Sequence, residues 1–316
     1  MYYIGIDIGG MSIKGGITDE NGNILAKGSI VTKPYNPYRE TVKDIAGLCK
    51  KLMAEAGITE ADIKGVGMGI PGTINSQKGV ITYSNNIHFE NVPIVKEFRK
   101  YIDVPTYIGN DANCAALGEM VFGTGKGYKD AIFITLGTGV GSGIIIDGKI
   151  FEGKDGAGAE AGHMGIRIGG DKCTCGKRGC WESYASATAL IRQTQRAMNR
   201  HPESLMHKVA AEHGKVSGRT AFIAARAGDK AALGVVNRYV KYVSEGLISL
   251  VNIFRPEILL IGGGISNEGD YFIKKLQRQV SLYSYGGRRN PYVKVLKASL
   301  LNDAGLLGAV ALCVRH

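Results

Sequence analysis

The chain has 316 residues, of which 44% are hydrophobic and 21% charged, and its net charge is +11. This composition is typical of a globular protein long enough for two domains or one large α/β unit. No run reaches the ~18 apolar residues needed to cross a bilayer, which excludes a membrane-spanning protein and predicts no membrane partner.

The N-terminal stretch "MYYIGIDIGG" has the apolar pattern of a strand, without the charged and long apolar regions of a signal peptide. We therefore expect a cytoplasmic protein with reduced thiols. Much of the positive charge falls in 190–219 and favours anionic ligands. The sequence contains no recognised nucleic-acid-binding module, so we interpret this region as a solvated basic surface and expect no nucleic-acid partner.

The first elements form a hairpin meander followed by helices and strands. We predict strands at 2–8, 12–19 and about 24–31, and then a helix within 36–57 with a 3.6-residue period. The next predicted elements are a strand at 63–70, a helix at 92–102, a strand at 104–110 and a helix that begins at Asp111.

The pattern then restarts, which predicts a duplicated α/β domain. Residues 130–150 again read strand, glycine turn, strand, turn, strand. A long amphipathic helix at 230–254, a strand with a glycine loop at 256–266 and an apolar helix at 303–314 complete the chain.

Three glycine-rich loops follow apolar strands. They are Asp7-Ile8-Gly9-Gly10, Gly137-Thr138-Gly139 and Gly262-Gly263-Gly264. The first loop does not have the spacing of a dinucleotide-binding loop, and the segment "GTGKG" at 123–127 lacks the spacing and the final Ser/Thr of a Walker A loop. One such loop is usually a tight turn, but exposed backbone N–H groups can also hold phosphates. Three together favour a nucleotide site, where Asp7 could hold Mg²⁺ through water.

Acidic residues mark two further segments. Asn110 and Asp111 lie between a strand and a helix, where they are either helix N-caps or, for Asp111, an acceptor of a hydroxyl proton during phosphoryl transfer. Glu160 and His163 are three residues apart, so on a helical turn they would share one face. The alternative is a loop histidine beside a surface glutamate.

The stretch "CTCGKRGCWE" at 173–182 contains half of the chain's six cysteines. Cys173, Cys175 and Cys180 are spaced for tetrahedral zinc, and a closed site of this type is structural. His163 is the nearest candidate for the fourth ligand, whereas His201, His207 and His213 lie farther along. Redox-active or incidental cysteines are the alternative.

These residues resemble the ROK family (repressors, open reading frames and sugar kinases) within the actin-like ATPase superfamily. The resemblance runs from "DIGG" at 7–10 to "GGGIS" at 262–266, and "EAGH" at 160–163 with "CTCGKRGCWE" is its most specific part. It implies duplicated actin-like (ribonuclease H-like) domains around a central cleft. We expect a small domain at 1–117, with helix 303–316 packing back on it, and a larger domain at 118–302.

The resemblance also implies an ATP-dependent kinase that phosphorylates the 6-hydroxyl of a hexose. Asp111 would be the general base. The implied sugar-binding residues are Gly72, Asn86, Asn110, Asp111, Glu160, His163 and Glu182. The implied MgATP-binding residues are Asp7, Gly9, Gly10, Ser12, Lys14, Thr138, Gly139, Gly263 and Gly264. The implied zinc ligands are His163, Cys173, Cys175 and Cys180. A homodimer or homotetramer is expected.

Two positions depart from the family pattern. Met11 stands where a threonine usually completes the first phosphate loop, and His88-Phe89 stands where many glucokinases have a small residue and tryptophan. Glucose is the leading substrate hypothesis. Mannose, fructose, N-acetylmannosamine, another hexose or N-acetylhexosamine, and a β-glucoside are alternatives, because pocket contacts rather than a motif discriminate them.

Two other classes are disfavoured. A repressor of this family carries an N-terminal helix-turn-helix, and a first strand at residue 2 or 3 leaves no room for one. A polymerising actin-like protein needs neither the acidic set nor the cysteines. A sugar sensor without catalysis, and a phosphoryl donor other than ATP, remain alternatives.

Overall fold

Three β-sheets and ten α-helices are present in the computed structural model, which describes residues 1–314. Backbone contacts divide the chain into two compact units. The first contains residues 1–129, 143–159 and the C-terminal segment from Ser299, and the second contains 130–142 and 160–298. The domain boundaries expected at 117 and 302 stay a prediction.

The elements follow one another in this order along the chain. The strands are β1 (Tyr2–Ile8), β2 (Ser12–Thr18), β3 (Ile24–Val31), β4 (Ile63–Ile70), β5 (Thr73–Asn75), β6 (Val80–Ser84), β7 (Phe89–Val92), β8 (Thr106–Asn110), β9 (Ala131–Leu136), β10 (Val140–Ile146), β11 (Lys149–Ile150), β12 (Ile258–Gly262) and β13 (Lys294–Lys297). The helices are α1 (Tyr38–Glu55), α2 (Ile94–Phe98), α3 (Asp111–Phe122), α4 (Glu182–Ala185), α5 (Ala187–Met198), α6 (Leu205–Glu212), α7 (Thr220–Arg226), α8 (Lys230–Phe254), α9 (Asp270–Tyr283) and α10 (Ala304–Val314).

Two five-stranded sheets share one topology, which confirms the predicted duplication. Their strand orders are β3-β2-β1-β4-β8 and β11-β10-β9-β12-β13. In the first, β1 pairs antiparallel with β2 and parallel with β4. In the second, β12 pairs parallel with both β9 and β13. Parallel neighbours bring loops at their carboxyl ends to one edge of the sheet, which is where α/β proteins tend to bind ligands.

Most predicted elements are confirmed, and the boundaries of one helix are wrong. The predicted helix at 92–102 is α2, which covers only Ile94–Phe98 because Val92 belongs to strand β7 and Pro93 separates the two. The small sheet β5-β6-β7 has no clear alternation in its sequence and was not predicted. Residues 315 and 316 of the predicted helix 303–316 lie outside the described residues.

Helix α10 packs on the first sheet at backbone contact distance. A Cβ added at Gly5 or Gly67 would overlap the carbonyl oxygen of Leu306 or Ala309, respectively. A Cβ at Gly308 would overlap the backbone of Cys114 in α3. Protein interiors are close-packed, so larger residues at these positions would force the helix away from the sheet.

Within residues 1–314, none of the helices combines the length and the apolar character that a membrane crossing requires.

Replacing Gly67 by alanine should destabilise the protein, because the new methyl group meets the backbone of α10 rather than a movable side chain. We expect a loss of about 1–3 kcal/mol or more in the free energy of unfolding. Gly47→Ala is the matched control. Gly47 lies inside α1 with open space around it, so that change should stabilise by roughly 0.5–1 kcal/mol. Thermal unfolding of both variants measures the difference, and an unchanged Gly67→Ala variant would contradict the packing argument.

Candidate active site and metal centre

The first glycine loop is held by its own backbone. The Gly9 N–H donates to the Ser12 carbonyl at 3.0 Å, and the Thr32 hydroxyl donates to the Gly9 carbonyl at 2.6 Å. Met11 at the tip is 88% exposed. The loop therefore presents backbone groups and a thioether, without the hydroxyl that a threonine would supply.

Asp7 lies at the end of β1, opposite Lys14 of β2. Burial raises the pKa of the Asp7 carboxyl, and the Lys14 ammonium group, 3.6 Å away, opposes this shift. A Cβ at Gly305, in the first turn of α10, would lie 2.7 Å from the Asp7 carboxyl carbon. Asp7 is thus a carboxylate confined between a strand and a helix start. Its oxygens are of the type that Mg²⁺ prefers, and one carboxylate suffices for an ion that keeps its waters.

Asn110 and Asp111 form the junction between β8 and α3. The Asn110 side-chain oxygen accepts from the Ala112 and Asn113 N–H groups and caps the helix. Its amide nitrogen donates to the Gly72 carbonyl at 3.1 Å. One Asp111 oxygen accepts from the Ala112 N–H at 2.9 Å. The Asn110 cap fixes the first turn of α3. Because Asp111 is the first residue of that turn, the cap also positions Asp111.

Gly72 lies next to the β8–α3 junction, and Asn86 lies next to the first glycine loop. Both belong to the first unit. Gly72 has φ of +119°, and a Cβ there would overlap the Tyr83 carbonyl oxygen, so glycine is required. The position of a Cβ on Gly10 lies 3.8 Å from the Asn86 Cβ. The first unit thus brings Gly10 and Asn86 together, and separately Gly72, Asn110 and Asp111.

The sequence did not indicate the backbone conformation of His88 or its ring contact. It has φ of +52°, and its ring stacks on Tyr35 with centroids 4.7 Å apart. Phe89 is buried instead and meets the edge of Tyr38. His88 is two residues after Asn86, so this exposed aromatic stack lies close in sequence to a predicted sugar-binding residue. The local sequence pattern did not reveal the stack.

In the second unit, the other two glycine loops follow adjacent parallel strands. Gly262 at the end of β12 pairs with Thr135 of β9. Gly263 has φ of +78°, and a Cβ there would collide with Leu136 at the end of β9. The Thr138 carbonyl accepts from the Thr188 hydroxyl at 2.8 Å, which fixes this loop to the start of α5. The loops that carry Thr138, Gly139, Gly263 and Gly264 therefore follow neighbouring strands at one edge of the sheet.

Val140 joins the predicted acidic residues of the second unit. Its N–H donates to the Glu182 carboxylate at 3.0 Å. Its carbonyl lies where a Cβ on Gly162 would be, so the turn Ala161–His163 packs directly on β10. A Cβ at Gly139 would overlap a Glu182 oxygen. Glycines at 139 and 162 thus allow Glu182 and the turn after Glu160 to approach the same strand.

Ser142 and Trp181 support this arrangement and were not predicted. The Ser142 hydroxyl accepts from the Ala161 N–H at 3.0 Å. Trp181 is fully buried, and its indole N–H donates to the Tyr242 carbonyl at 2.8 Å. The ring fills the space left by Gly246 in α8. An isolated serine and the single tryptophan carry no spacing signal that could have assigned them this role.

His163, Cys173, Cys175 and Cys180 converge, with their ligand atoms all within 4.8 Å of one another. The Cys175 and Cys180 sulfurs are 3.7 Å apart, and the Cys173 sulfur is 3.6 Å from His163 Nδ1. Tetrahedral zinc with Zn–S bonds of about 2.3 Å separates its sulfurs by about 3.8 Å, so the donor set and spacing fit zinc. His201, His207 and His213 are not part of this cluster.

The cluster also contacts the predicted sugar-binding carboxylate. The Cys173 sulfur lies 3.7 Å from one oxygen of Glu182, and the Thr174 hydroxyl lies 3.3 Å from the same oxygen. A metal bound here would therefore hold the loop that flanks Glu182, which is a supporting role.

Comparisons with known proteins agree over nearly the whole chain. The model of the ROK family matches residues 3–316. The glucokinase of Streptomyces coelicolor is 36% identical over 312 residues, which cover 98% of this chain and 96% of that protein. The xylose repressor of Caldicellulosiruptor bescii is 30% identical over 313 residues, covering 98% of this chain and 77% of the repressor.

A solved structure gives the same result. A ROK family glucokinase from Streptomyces griseus, crystallised with glucose and AMPPNP, matches with a TM-score of 0.84 and 33% identity, covering 100% of both chains. This likeness confirms the predicted fold class, an α/β protein with two actin-like domains.

We predict that the purified protein contains about one zinc ion per chain, held by three thiolates and one imidazole. Cys175→Ser removes the exposed thiol of the cluster and should lower both the zinc content and the melting temperature, because metal binding is coupled to folding. Cys49→Ala changes a buried thiol of α1 outside the cluster and should keep the zinc. Elemental analysis decides. Absence of zinc from the wild-type protein, or full zinc content in Cys175→Ser, would refute the site.

Proposed function

The chain belongs to the ROK family and phosphorylates a sugar with ATP, and we propose that this sugar is glucose, phosphorylated at its 6-hydroxyl. The observation that carries the proposal is the β8–α3 junction. There the cap of α3 holds the carboxylate of Asp111 in a fixed place at the start of the helix. Support for glucose comes from the full-length similarity to glucokinases.

Asp111 is the proposed general base. One of its oxygens is engaged by the Ala112 N–H, which fixes the carboxylate in a defined orientation. A carboxylate has two oxygens and about four lone-pair sites, so the hydrogen bond from the Ala112 N–H is compatible with acceptance of the proton of the 6-hydroxyl. In phosphoryl transfer the proton leaves the hydroxyl as the new bond to phosphorus forms, and positioning supplies most of the rate.

The sugar hydroxyls are assigned to the remaining polar residues of the predicted set. The Asn110 side-chain oxygen accepts the hydrogen bonds of the α3 cap, and one of its side-chain N–H groups donates to the Gly72 carbonyl. Its second N–H is therefore available to a sugar hydroxyl. Glu182 accepts from the Val140 N–H and keeps further acceptor sites. Asn86, Glu160 and His163 complete the proposed set. If His163 ligates zinc, its second ring nitrogen is the one left for the sugar.

The nucleotide is assigned to glycine backbone groups, two hydroxyl side chains and the ammonium group of Lys14. Gly9, Gly10, Ser12 and Lys14 would contact the phosphates from one loop, and Thr138, Gly139, Gly263 and Gly264 from the other two. Asp7 is proposed to hold Mg²⁺ through water. When bound, this ion neutralises charge on the transferring phosphate.

The homodimer or homotetramer and the cytoplasmic location stay predictions.

A non-catalytic sugar sensor is the second candidate, and Met11 is the observation that favours it. The exposed thioether removes a hydroxyl donor at the first phosphate loop, where Ser12 or Lys14 would have to compensate. A sensor would bind sugar without turning over ATP. The two candidates therefore differ in turnover and agree in sugar binding.

Asp111→Asn should lower kcat by about 10²–10⁴-fold, the usual contribution of general base catalysis, because an amide does not accept the hydroxyl proton. Sugar affinity should change little, since the amide keeps the size and a hydrogen-bonding oxygen. Asp103→Asn, an exposed aspartate paired with Arg99, is the matched control and should keep full activity. A coupled ADP-release assay with isothermal titration of the sugar measures both quantities. Turnover of Asp111→Asn near the wild-type rate would refute the assignment.

A further inference from the structure

A basic pocket lies in the second unit between helices α5 and α8. Its volume is about 490 Å³. The loop before Cys173 contributes to its wall through Arg167 and Asp171. Six of the lining residues are cationic: Arg167, Arg192, Arg196, Arg200, Lys230 and Arg238.

These charges are poorly compensated. Asp171 is the acidic residue among those that line the pocket, and its carboxylate is 2.8 Å from Arg192 and 4.0 Å from Arg196. Across residues 1–314, no carboxylate lies within ion-pair distance of the other four cations. Six cations against one carboxylate leave a formal excess of five positive charges. Like charges gathered in this way oppose the compact state unless a counter-ion is bound.

Arg192 is the pocket cation that hydrogen bonds hold in a fixed position. One of its terminal nitrogens donates to the Ser183 carbonyl and to Asp171, yet its Nε is buried and has no partner within the described part of the chain. A buried donor without an acceptor costs free energy, and more so on a charged group. Because this Nε has almost no accessible surface, it adds to the cost of the uncompensated charge but is not itself a contact for an anion in the pocket.

The chemistry of the lining selects the class of anion. Guanidinium groups bind phosphate and carboxylate oxygens in a bidentate manner, and five of the six cations are arginines. The first turn of α8, capped by the Asp229 side chain, also lines the pocket. The volume falls within the range of roughly 300–1,000 Å³ that is usual for small-molecule sites.

We propose that this pocket binds a small soluble ligand that carries two or more phosphate groups. The site is separate from the residues assigned to the sugar and to MgATP, and the inference rests on no step of the proposed kinase reaction. Arg167 and Asp171 belong to the loop between His163 and Cys173, so a bound polyphosphate contacts the segment that links two predicted zinc ligands.

Inorganic pyrophosphate is the probe. Its binding to the full-length protein is measured by isothermal titration at low ionic strength, with the nucleotide site saturated by a non-hydrolysable ATP analogue. We expect the double variant Arg200→Ala/Arg238→Ala to bind at least about tenfold more weakly, because each charge-assisted hydrogen bond contributes strongly. Both side chains are exposed, so the variant should fold, and its melting temperature checks this.

Lys274→Ala/Arg278→Ala is the matched control, since it removes two exposed positive charges from α9 outside the pocket. This variant should bind pyrophosphate like the wild type. Equal weakening in both variants would overturn the proposal by showing a non-specific charge effect. Absence of pyrophosphate binding would also overturn it, as would binding of duplex DNA in place of pyrophosphate with the same dependence on Arg200 and Arg238.

Discussion

The approach of helix α10 to strands β1 and β4 is the constraint on which the first unit depends. Gly5 and Gly67 let carbonyl groups of the helix rest on the strands without an intervening side chain. The same helix contacts α3 through Gly308, so its position fixes both the sheet and the helix that begins at Asp111. Its first turn at Gly305 touches the carboxyl group of Asp7. Two candidate functional carboxylates are thus positioned by one glycine-mediated packing.

The second unit uses the same device on a smaller scale. Glycines at 139 and 162 bring Glu182 and the turn after Glu160 against Val140, and Gly246 admits the ring of Trp181 next to the cysteine loop. The polar groups then hold each other, as in the hydrogen bond from the Val140 N–H to Glu182. The abundance of glycine in this chain therefore has a structural cause beyond phosphate-binding loops, because close backbone contact needs residues without a Cβ.

The fold was predictable from the sequence because its strongest signals are local. The duplicated hairpin meander and the 25-residue helix α8 have clear periods, and both are confirmed. The cysteine spacing and the preceding histidine predicted a cluster that the structure brings together. By contrast, the sheet β5-β6-β7 has short strands without alternation. The helix predicted at 92–102 covers only Ile94–Phe98 and begins after Pro93.

Other features of the site depend on contacts between distant residues. The Tyr35–His88 stack joins positions more than fifty residues apart, and Arg192 of α5 pairs with Asp171 of the loop before Cys173. The basic residues within 190–219 were interpreted as a solvated surface, whereas Arg192, Arg196 and Arg200 line one pocket with α8. Periodicity reports which face of a helix is polar, and only the packing of α5 against α8 reveals that this polar face is concave.

Glucose is the sugar that we propose for this ROK family kinase, and a comparison of sugars as substrates is the sharpest test. The measurement is kcat/KM with MgATP for glucose, mannose, fructose, N-acetylglucosamine and N-acetylmannosamine under identical conditions, with the phosphorylated position identified by NMR. A site that hydrogen-bonds each hydroxyl rejects an analogue that leaves a polar group unpaired. We predict the highest kcat/KM for glucose, with phosphate on the 6-hydroxyl. A clear preference for an N-acetyl sugar, or sugar binding without turnover, would contradict it.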